Sequence, residues 1–449
     1  MSLPLIILHG WSDNSSSFTS LAAWLKGNGF NVIEIYLGDY LSMNDEITLY
    51  DLGSAFRRAL ERNNIPQGRY SFDLVVHSTG GLVALEYLRQ VCQGDATKTP
   101  IQHLCMLAPA NLGSSLAKLG KSVIGRLFKG WSWDHFAQSG QRILDALELA
   151  SPYSWQLIED NLFDSGFRVL APENTITTVM VGTTAYPDAL RSSIHENGSD
   201  GTVRVSTANL NCHYYEVDFS NPNIPVIRQR QGNYGPVALA VFHRNHTSIH
   251  DPAEPTQHDL WARTITDALR TDAAGYDAHF QRCQVIADTT FREGVAGAHP
   301  DWYHQYQHVV FRVHDQFGQP IRDYIVEFYQ ERGDDKDKVF ETIHKEILDK
   351  VTTNEVDGSY RSFLFDTTDL NAYLDQNPSA EIQMSVSAAN LSPRITFRNP
   401  NGGVNVFSPS ERTLIFPNQP VLIDITLYRD ATIEDPNPAN VVFKLTMAK

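Results

Sequence analysis

One serine occurs at a break between two apolar segments, in the sequence DLVVHSTGGLVALEYL. The β-branched residues before Ser78 predict a strand, and the apolar residues after it recur with the spacing of a helix. A sharp turn between the two would expose the serine hydroxyl and direct the N–H of Thr79 toward the group that the oxygen attacks. Gly80 and Gly81 would let strand and helix approach, but Val76 replaces the first glycine of the G-x-S-x-G pattern. The stretch therefore predicts a nucleophilic serine, with an ordinary strand-to-helix loop as the alternative.

A serine hydroxyl becomes a strong nucleophile only beside a base, and a carboxylate can orient that base. Asp200, in the glycine-flanked loop NGSDGTV, is the candidate acid, and Asp188 is its rival. The base should follow the acid in the chain, and the segment VFHRNHTSIHDP comes next. His246 is the first candidate base, before His250 and His243.

The three histidines could instead bind zinc. Helical i, i+4 spacing holds only between His246 and His250, and the segment predicts no helix to carry them. We therefore expect no metal and no cofactor at this site.

An apolar segment near the N-terminus, LIILHGW, could complete such a site. Gly10 would allow a tight turn after a short strand, so that the N–H of Trp11 points at a developing negative charge. Together with the N–H of Thr79 it would supply the two donors of an oxyanion hole. A plain glycine turn is the alternative.

These residues need a scaffold that brings the ends of several strands together. The first 270 residues alternate strand-like with helix-like segments. This alternation predicts an α/β domain with a mostly parallel sheet and helices on both faces. The predicted strands are 5–8, 31–37, 72–77, 103–107, 176–181 and 237–241, and the predicted helices are 18–26, 49–63 and 80–92.

The pattern changes after about residue 277. Short β-rich runs alternate with turn sequences such as DQFGQP and RNPNGG. This pattern predicts an all-β sandwich of roughly immunoglobulin-like size. We expect a first domain over 1–275, a linker over 276–300 and the sandwich over 301–449. The sandwich shows no catalytic constellation, and the carboxylates of DTTDLNAYLDQ are typical of turns and caps. Its predicted strands are 308–313, 324–329, 382–386, 413–416 and 421–427.

An insertion at about 110–172 interrupts the first domain. Apolar residues recur there at three- and four-residue steps and predict an amphipathic helix with a basic face. Such a helix could act as a lid over an acyl pocket or touch an anionic lipid interface, and a helix packed on the core is the alternative. The apolar positions are Leu112, Leu116, Leu119, Val123 and Leu127, and the basic ones are Lys118, Lys121, Arg126 and Lys129.

The length and composition of the chain limit the number of domains and the kinds of partner that we expect. A chain of 449 residues exceeds one ordinary core, so we expect two domains. The 36 basic and 52 acidic residues give a net charge of −16, which argues against a nucleic-acid partner. The four cysteines form no C-x-x-C pair, so a disulfide scaffold is not expected.

The sequence shows no targeting signal that we recognise. The N-terminal sequence MSLPLIILHG has neither the basic region nor the cleavage site of a signal peptide. No segment reaches the roughly 20 apolar residues of a membrane span. We expect a cytoplasmic protein, although a trimmed N-terminus would leave secretion open.

The motifs LHGW, VHSTGG, SDGTV and NHTSIH, in that order, resemble those of the α/β-hydrolase superfamily. Within the superfamily they resemble the lipase and esterase branch, and bacterial lipases in particular. The resemblance covers residues 1 to about 270. The segment LAPANLGSSLAKLG also resembles the P-x-x-G-S-x-x-A loop of lipases, with asparagine at the histidine-like position. The chain departs from the pattern at Val76 and in its early first strand, which predicts a short hydrolase core.

The resemblance implies Ser78 as nucleophile, Asp200 as acid and His246 as base, with Trp11 and Thr79 as oxyanion donors. It implies a serine hydrolase of carboxylic esters, a lipase or esterase, whose substrates are small-molecule or lipid esters of medium to long acyl chain. Two alternatives remain: an acyltransferase with the same triad, and a non-enzymatic binding protein built on a hydrolase fold. The oligomeric state is not predicted.

Overall fold

The computed structural model describes residues 3–8, 18–35, 46–119, 140–164, 166–188, 192–221, 223–232, 235–330, 340–390, 392–399, 403–407, 412, 414–432 and 436–442. The chain forms two compact units. The first consists of Met1–Cys212, Gln231–Tyr306 and Asn418–Pro420, and the second of His213–Arg230, Gln307–Pro417 and Val421–Lys449.

A six-stranded parallel sheet lies at the centre of the first unit. Its strands are β1 (Pro4–Leu8), β2 (Asn31–Ile35), β3 (Phe72–His77), β4 (Ile101–Leu107), β5 (Ile176–Gly182) and β8 (Ala238–Phe242). Between β5 and β8 the chain forms β6 (His213–Asp218) and β7 (Val226–Arg230), which belong to the second unit. The sheet has the order β2-β1-β3-β4-β5-β8. The predicted mostly parallel α/β sheet is confirmed.

Buried apolar runs explain why these segments form the centre of a sheet. Every residue of β3 and of β5 is buried. A strand with both faces covered loses the polar–apolar alternation of a half-exposed strand and becomes apolar throughout. The sequence signal and the position in the sheet therefore agree.

The helices of the first unit complete the α/β alternation. The second helix begins at a capping box, in which Thr48 and Asp51 accept hydrogen bonds from each other's backbone N–H. Among the described residues, no helix combines the length and the apolar content needed to cross a membrane. The helices are α1 (Thr19–Gly27), α2 (Leu49–Arg62), α3 (Gly80–Cys92), α4 (Gln141–Leu147), α5 (Pro152–Ile158), α6 (Val205–Ala208), α7 (His258–Ala268) and α8 (Tyr276–Val295).

The segment over 276–300 is not a linker, because α8 occupies most of it and packs on the sheet. The Tyr276 hydroxyl accepts from the N–H of Ala238 and donates to the carbonyl of Thr177, both at 2.9 Å. Along α8, His279 and Cys283 continue the buried face that begins at Tyr276. The structure also places β6 and β7 in the second unit, so the division does not fall at residue 275.

The expected lid helix does not begin where the apolar stripe predicts. Leu112 lies in a turn, and Gly113 has a φ of +87°, which ends any helical stripe between Leu112 and Leu116. A short 3-10 segment, Ser115–Leu119, follows, and Leu112 and Leu116 are buried. The remaining part of the predicted helix, with Val123, Leu127 and most of the basic face, lies outside the described residues.

Two β-sheets enclose the apolar core of the second unit. The three-stranded sheet has the order β10-β13-β15, and the other has the order β11-β12-β9-β16-β6-β7, with β14 pairing to β16. This second sheet is mixed, because β16 runs parallel to β6 and antiparallel to β14. The strands are β9 (Tyr306–Asp315), β10 (Tyr324–Tyr329), β11 (Leu348–Thr353), β12 (Tyr360–Asp366), β13 (Ile382–Ala388), β14 (Ile395–Arg398), β15 (Val404–Phe407) and β16 (Pro420–Ala431).

The separate C-terminal β region is thus confirmed, while one of its predicted strands is wrong. Residues 414–416 form no strand, and Asn418, at φ +59°, turns the chain just before β16. A helix, α9 (Thr367–Gln376), follows β12 in the segment DTTDLNAYLDQ. Asp366 caps it by accepting from the N–H groups of Thr368 and Asp369.

Candidate active site

Ser78 lies in a strained turn between β3 and α3. Its φ is +55°, a left-handed value that is uncommon for a residue other than glycine. Its N–H donates to the carbonyl of Leu107 (3.1 Å), which extends the pairing of β3 with β4, and its carbonyl accepts from the N–H of Gly81 (3.0 Å). The chain thus passes from strand to helix within two residues, Ser78 and Thr79, as a nucleophile elbow requires.

Gly81 provides the space that this turn needs. A Cβ atom at Gly81 would lie 2.7 Å from Cβ of Pro109 and 2.9 Å from Oδ1 of Asn111. Val76 is fully buried and stays in register with Leu8 of β1. The missing first glycine of the motif therefore leaves the strand pairing intact, and the close approach occurs on the helix side.

Asp200 and His246 form a buried pair at the carboxyl edge of the sheet. Nδ1 of His246 lies 2.8 Å from Oδ2 of Asp200, and the exposed fractions of the two residues are 1% and 0%. Oδ1 of Asp200 accepts from the N–H groups of Thr202 (2.9 Å) and Val203 (2.8 Å). Because an ionised carboxylate can only accept, Nδ1 of His246 carries the shared proton and Nε2 is the nitrogen that can take another.

His77, the residue before Ser78, contacts the loop that carries His246. Its Nε2 donates to the carbonyl of His246 (2.9 Å), and the centroids of the two imidazole rings are 4.6 Å apart. Because His77 directly precedes the elbow serine, the loop that carries His246 ends at the same strand end as Ser78. The three residues of the predicted triad therefore come from the turn after β3, the loop before α6 and the loop after β8.

Arg244 holds the histidine loop in shape. Its buried guanidinium donates to the carbonyls of Ser248 (3.0 Å), Asp251 (2.9 Å), Glu254 (3.0 Å) and Thr256 (3.2 Å). Burial lowers the pKa of Arg244 to about 10. One cation thus organises four backbone carbonyls of the segment that follows His246.

Two further contacts tighten the same loop. The guanidinium of Arg244 lies over the ring of Trp261, 4.7 Å from its centroid, and the indole N–H donates to the carbonyl of Ile249 (2.7 Å). Asn245 accepts the N–H groups of Thr247 and Ser248 in an Asx turn. A sequence search for nucleophile, acid and base misses Arg244, since an arginine in a polar loop usually lies on the surface.

Gly182, the last residue of β5, lets the acid and base loops meet. A Cβ atom there would lie 1.9 Å from the carbonyl oxygen of Arg244 and 3.2 Å from Cβ of Asp200. Only glycine fits at this point. The nearby N–H of Thr184 donates to the carbonyl of Arg244 (3.1 Å), which ties β5 to the histidine loop.

The rival residues occupy different surroundings. His250 stacks on Phe18, with centroids 4.3 Å apart, and His243 bonds to the Tyr303 hydroxyl at 2.7 Å. Asp188 is only half-buried in the turn after β5. The structure thus brings His246, among the three histidines, into hydrogen-bonding contact with Asp200.

Of the two candidate oxyanion donors, Thr79 lies within the described residues. Thr79 is buried and lies immediately before α3, so its N–H belongs to the positive end of that helix. Trp11 lies outside the described residues, as do His9 and Gly10.

The loop after β4 fastens to the loop that carries Asp200. Nδ2 of the buried Asn111 donates to the carbonyl of Ala208 (2.7 Å), and the Ser114 hydroxyl donates to the carbonyl of Thr202 (2.5 Å). Ser115 bonds to Glu196, whose carboxylate also pairs with Arg204 (3.2 Å). The lipase-like segment LAPANLGSS therefore braces the acid loop.

Comparison with solved structures shows a similarity to a bacterial phospholipase. The fold matches phospholipase PlaB from Legionella pneumophila with a TM-score of 0.79 at 23% identity, over 100% of this chain and 97% of that one. PlaB in complex with thio-NAD matches with a TM-score of 0.77 at 23% identity, over 100% of this chain and 98% of that one. Bacillus licheniformis lipase BlEst2 aligns with a TM-score of 0.37 at 16% identity, over 60% and 92% of the two chains, which is too weak to support an argument.

No protein-family model and no curated protein matches the sequence. The similarity to PlaB shows that the chain has the α/β-hydrolase fold together with a β region, and the predicted fold is confirmed.

Proposed function

We propose that the protein is a serine hydrolase of carboxylic esters, with Ser78 as nucleophile, His246 as base and Asp200 as the acid that orients the base. The observation that carries the proposal is the buried Asp200–His246 hydrogen bond (2.8 Å), in a loop that accepts a hydrogen bond from His77, the residue before Ser78 with its φ of +55°. An ordinary strand-to-helix loop gives no reason to bury a carboxylate–imidazole pair at the same strand end.

The reaction proceeds through a covalent acyl-enzyme. Nε2 of His246 takes the proton of Ser78 as Oγ attacks the ester carbonyl carbon, and the carbonyl oxygen becomes an oxyanion. His246 then gives the proton to the leaving alcohol, and the acyl group stays on Ser78. Water, deprotonated by His246, then attacks the acyl carbon. The bond from this carbon to Oγ of Ser78 breaks, His246 returns the proton to Oγ, and the carboxylic acid is released.

The N–H groups of Thr79 and Trp11 are proposed to hold the oxyanion in both steps. The position of Thr79 at the start of α3 supports its part. Asp200 keeps the imidazole in the required tautomer and stabilises its charged form, because the carboxylate lies against Nδ1.

The substrate is proposed to be a lipid ester with a medium or long acyl chain, and phospholipids are the first class to assay. Support comes from the similarity to a phospholipase over the full length of both chains. The basic and apolar residues between Lys121 and Trp133 would suit an anionic lipid surface.

The test is an ester panel with matched serine variants. We expect wild-type protein to hydrolyse p-nitrophenyl esters of graded chain length and phosphatidylcholine vesicles, and Ser78→Ala to lose about four to six orders of magnitude in kcat. Ser71→Ala, a half-buried serine outside the site, should keep wild-type rates. A folded wild-type protein without turnover on any ester would overturn the proposal, and acyl transfer to an added alcohol in place of acid release would overturn its hydrolytic part.

A further inference from the structure

His246 is fixed to Asp200 at two points. Its N–H donates to the carbonyl of Asp200 (2.9 Å), and Nδ1 of its ring lies 2.8 Å from Oδ2 of the same residue. The Asp200 carboxylate is in turn held by the N–H groups of Thr202 and Val203. These contacts align the proposed base with the proposed acid, but none of them involves the turn that carries Ser78. A base can act only when it is also held in reach of its nucleophile.

A third contact joins His246 to the strand that leads into this turn. Nε2 of His77 lies 2.9 Å from the carbonyl oxygen of His246. Because a carbonyl oxygen can only accept, Nε2 of His77 carries the proton of this hydrogen bond. The donor belongs to the last residue of β3, and the acceptor belongs to the backbone from which the imidazole of His246 extends. The peptide group of the proposed base is thereby tied to the residue before Ser78.

The surroundings of His77 make it a rigid anchor. The residue is 2% exposed and pairs in register with Leu107 of β4. Its ring centroid lies 5.5 Å from that of Phe18 and 4.9 Å from that of His250. A buried side chain that is packed among other rings has few alternative rotamers, so the strand fixes the position of its Nε2.

We propose that His77 is a positioning residue of the active site, which holds His246 in reach of Ser78. The inference rests on the proposed function, since it assigns His246 as the base and Ser78 as the nucleophile. His77 transfers no proton in the proposed reaction and acts through the backbone of His246. Its loss should therefore lower kcat and leave KM unchanged.

The test compares two substitutions of nearly equal size and shape. His77→Gln keeps an N–H donor that can reach the position of Nε2, whereas His77→Met has no donor. His279→Met is the matched control, because His279 is 1% exposed and its Nε2 lies 2.9 Å from Oγ1 of Thr178. Thr178 lies in the first half of β5, away from the carboxyl end of that strand. Both methionine variants thus remove a buried imidazole that forms a hydrogen bond through Nε2.

We expect His77→Met to lower kcat for a soluble ester about 100-fold, the cost of a misplaced catalytic group, with KM unchanged. His77→Gln should stay within about tenfold of wild-type kcat, because a single hydrogen bond of imperfect geometry is at stake. His279→Met should keep wild-type kcat while losing as much thermal stability as His77→Met. Wild-type kcat in folded His77→Met, or an equal loss in His77→Gln, would overturn the proposal. If His77→Met does not fold, His77→Phe supplies a second variant that lacks the donor and fills the space of the ring.

A measurement that needs no turnover separates this inference from the proposed function. Hydrogen–deuterium exchange, read by mass spectrometry in Ser78→Ala protein, reports the opening of the loop that carries His246. The peptide that contains His246 should exchange faster after His77→Met, and at the unchanged rate after His77→Gln or His279→Met. Unchanged exchange after His77→Met would overturn the role of His77 even if the wild-type protein hydrolyses esters. Faster exchange in a protein whose wild type shows no turnover would support that role while the proposed function fails.

Discussion

Replacing Gly182 by alanine should disable the proposed active site without changing any residue of the proposed triad. The new Cβ would lie 1.9 Å from the carbonyl oxygen of Arg244, and ordinary contact begins at 3.4 Å. The backbone at Arg244 must therefore retreat by about 3.4 − 1.9 = 1.5 Å. His246 follows two residues later, and a misplacement of 1 Å in a catalytic group costs on the order of 100-fold. We expect kcat to fall at least about 100-fold, with a loss of about 1–3 kcal/mol in stability.

The assay is hydrolysis of a soluble ester by Gly182→Ala, alongside thermal unfolding of the same preparation. Gly27→Ala is the matched control, because a Cβ atom at Gly27 meets no described atom within 4 Å. That variant should keep wild-type kcat and stability. Wild-type kcat in folded Gly182→Ala would refute the argument that the histidine loop is fixed by close backbone contact.

Three further predictions concern groups with defined partners. Asp200→Asn should lower kcat by about four orders of magnitude with little change in KM, and a loss below tenfold would exclude the Asp200–His246 pair from the mechanism. Arg244→Met should lower the free energy of unfolding, measured by chemical denaturation, by about 2–4 kcal/mol, because four backbone carbonyls lose their hydrogen-bond donor. Arg244→Lys should have an intermediate stability. Equal stability of the wild type and both variants would contradict this. A hydrogen bond to Asp424 raises the pKa of His314, so its stabilising effect is complete below pH 6.5 and disappears as pH rises through the folded pKa. His314→Gln should therefore lower the unfolding midpoint at pH 6 and not at pH 9, and an equal effect at both values would be inconsistent with the ion pair.

Local signals predicted the elements around Ser78 well. Strand β3 and helix α3 begin and end where the sequence indicates, because a buried apolar strand, a turn and an apolar helix follow each other without a gap. Chain order also led to Asp200 and His246, although the sequence left His250 and His243 open. The choice among the three depended on the loop fold, which Arg244 directs through backbone carbonyls that no residue pattern reveals.

Non-local pairing explains what the sequence did not show. Glycine and alanine come just before helix α8, and the helix itself contains many polar residues, so the sequence of this segment resembles a linker. The structure shows instead that one face of α8 is buried against β5 and the start of β8. The pairing of β6 with β16 joins residues about two hundred positions apart, and it decides that β6 belongs to the second unit. Neither the packing of α8 on the sheet nor the pairing of β6 with β16 can be predicted from the periodicity of the local sequence.

The central claim is that Ser78 forms a covalent bond with the acyl carbon of the substrate. A fluorophosphonate reacts with activated serines in the same way, and mass spectrometry of the digested protein locates the adduct. We expect a single adduct on the peptide that contains Ser78 in wild-type protein, a much slower reaction in His246→Ala, and none at that peptide in Ser78→Ala. An unlabelled but folded wild-type protein, or an adduct on another serine, would contradict it.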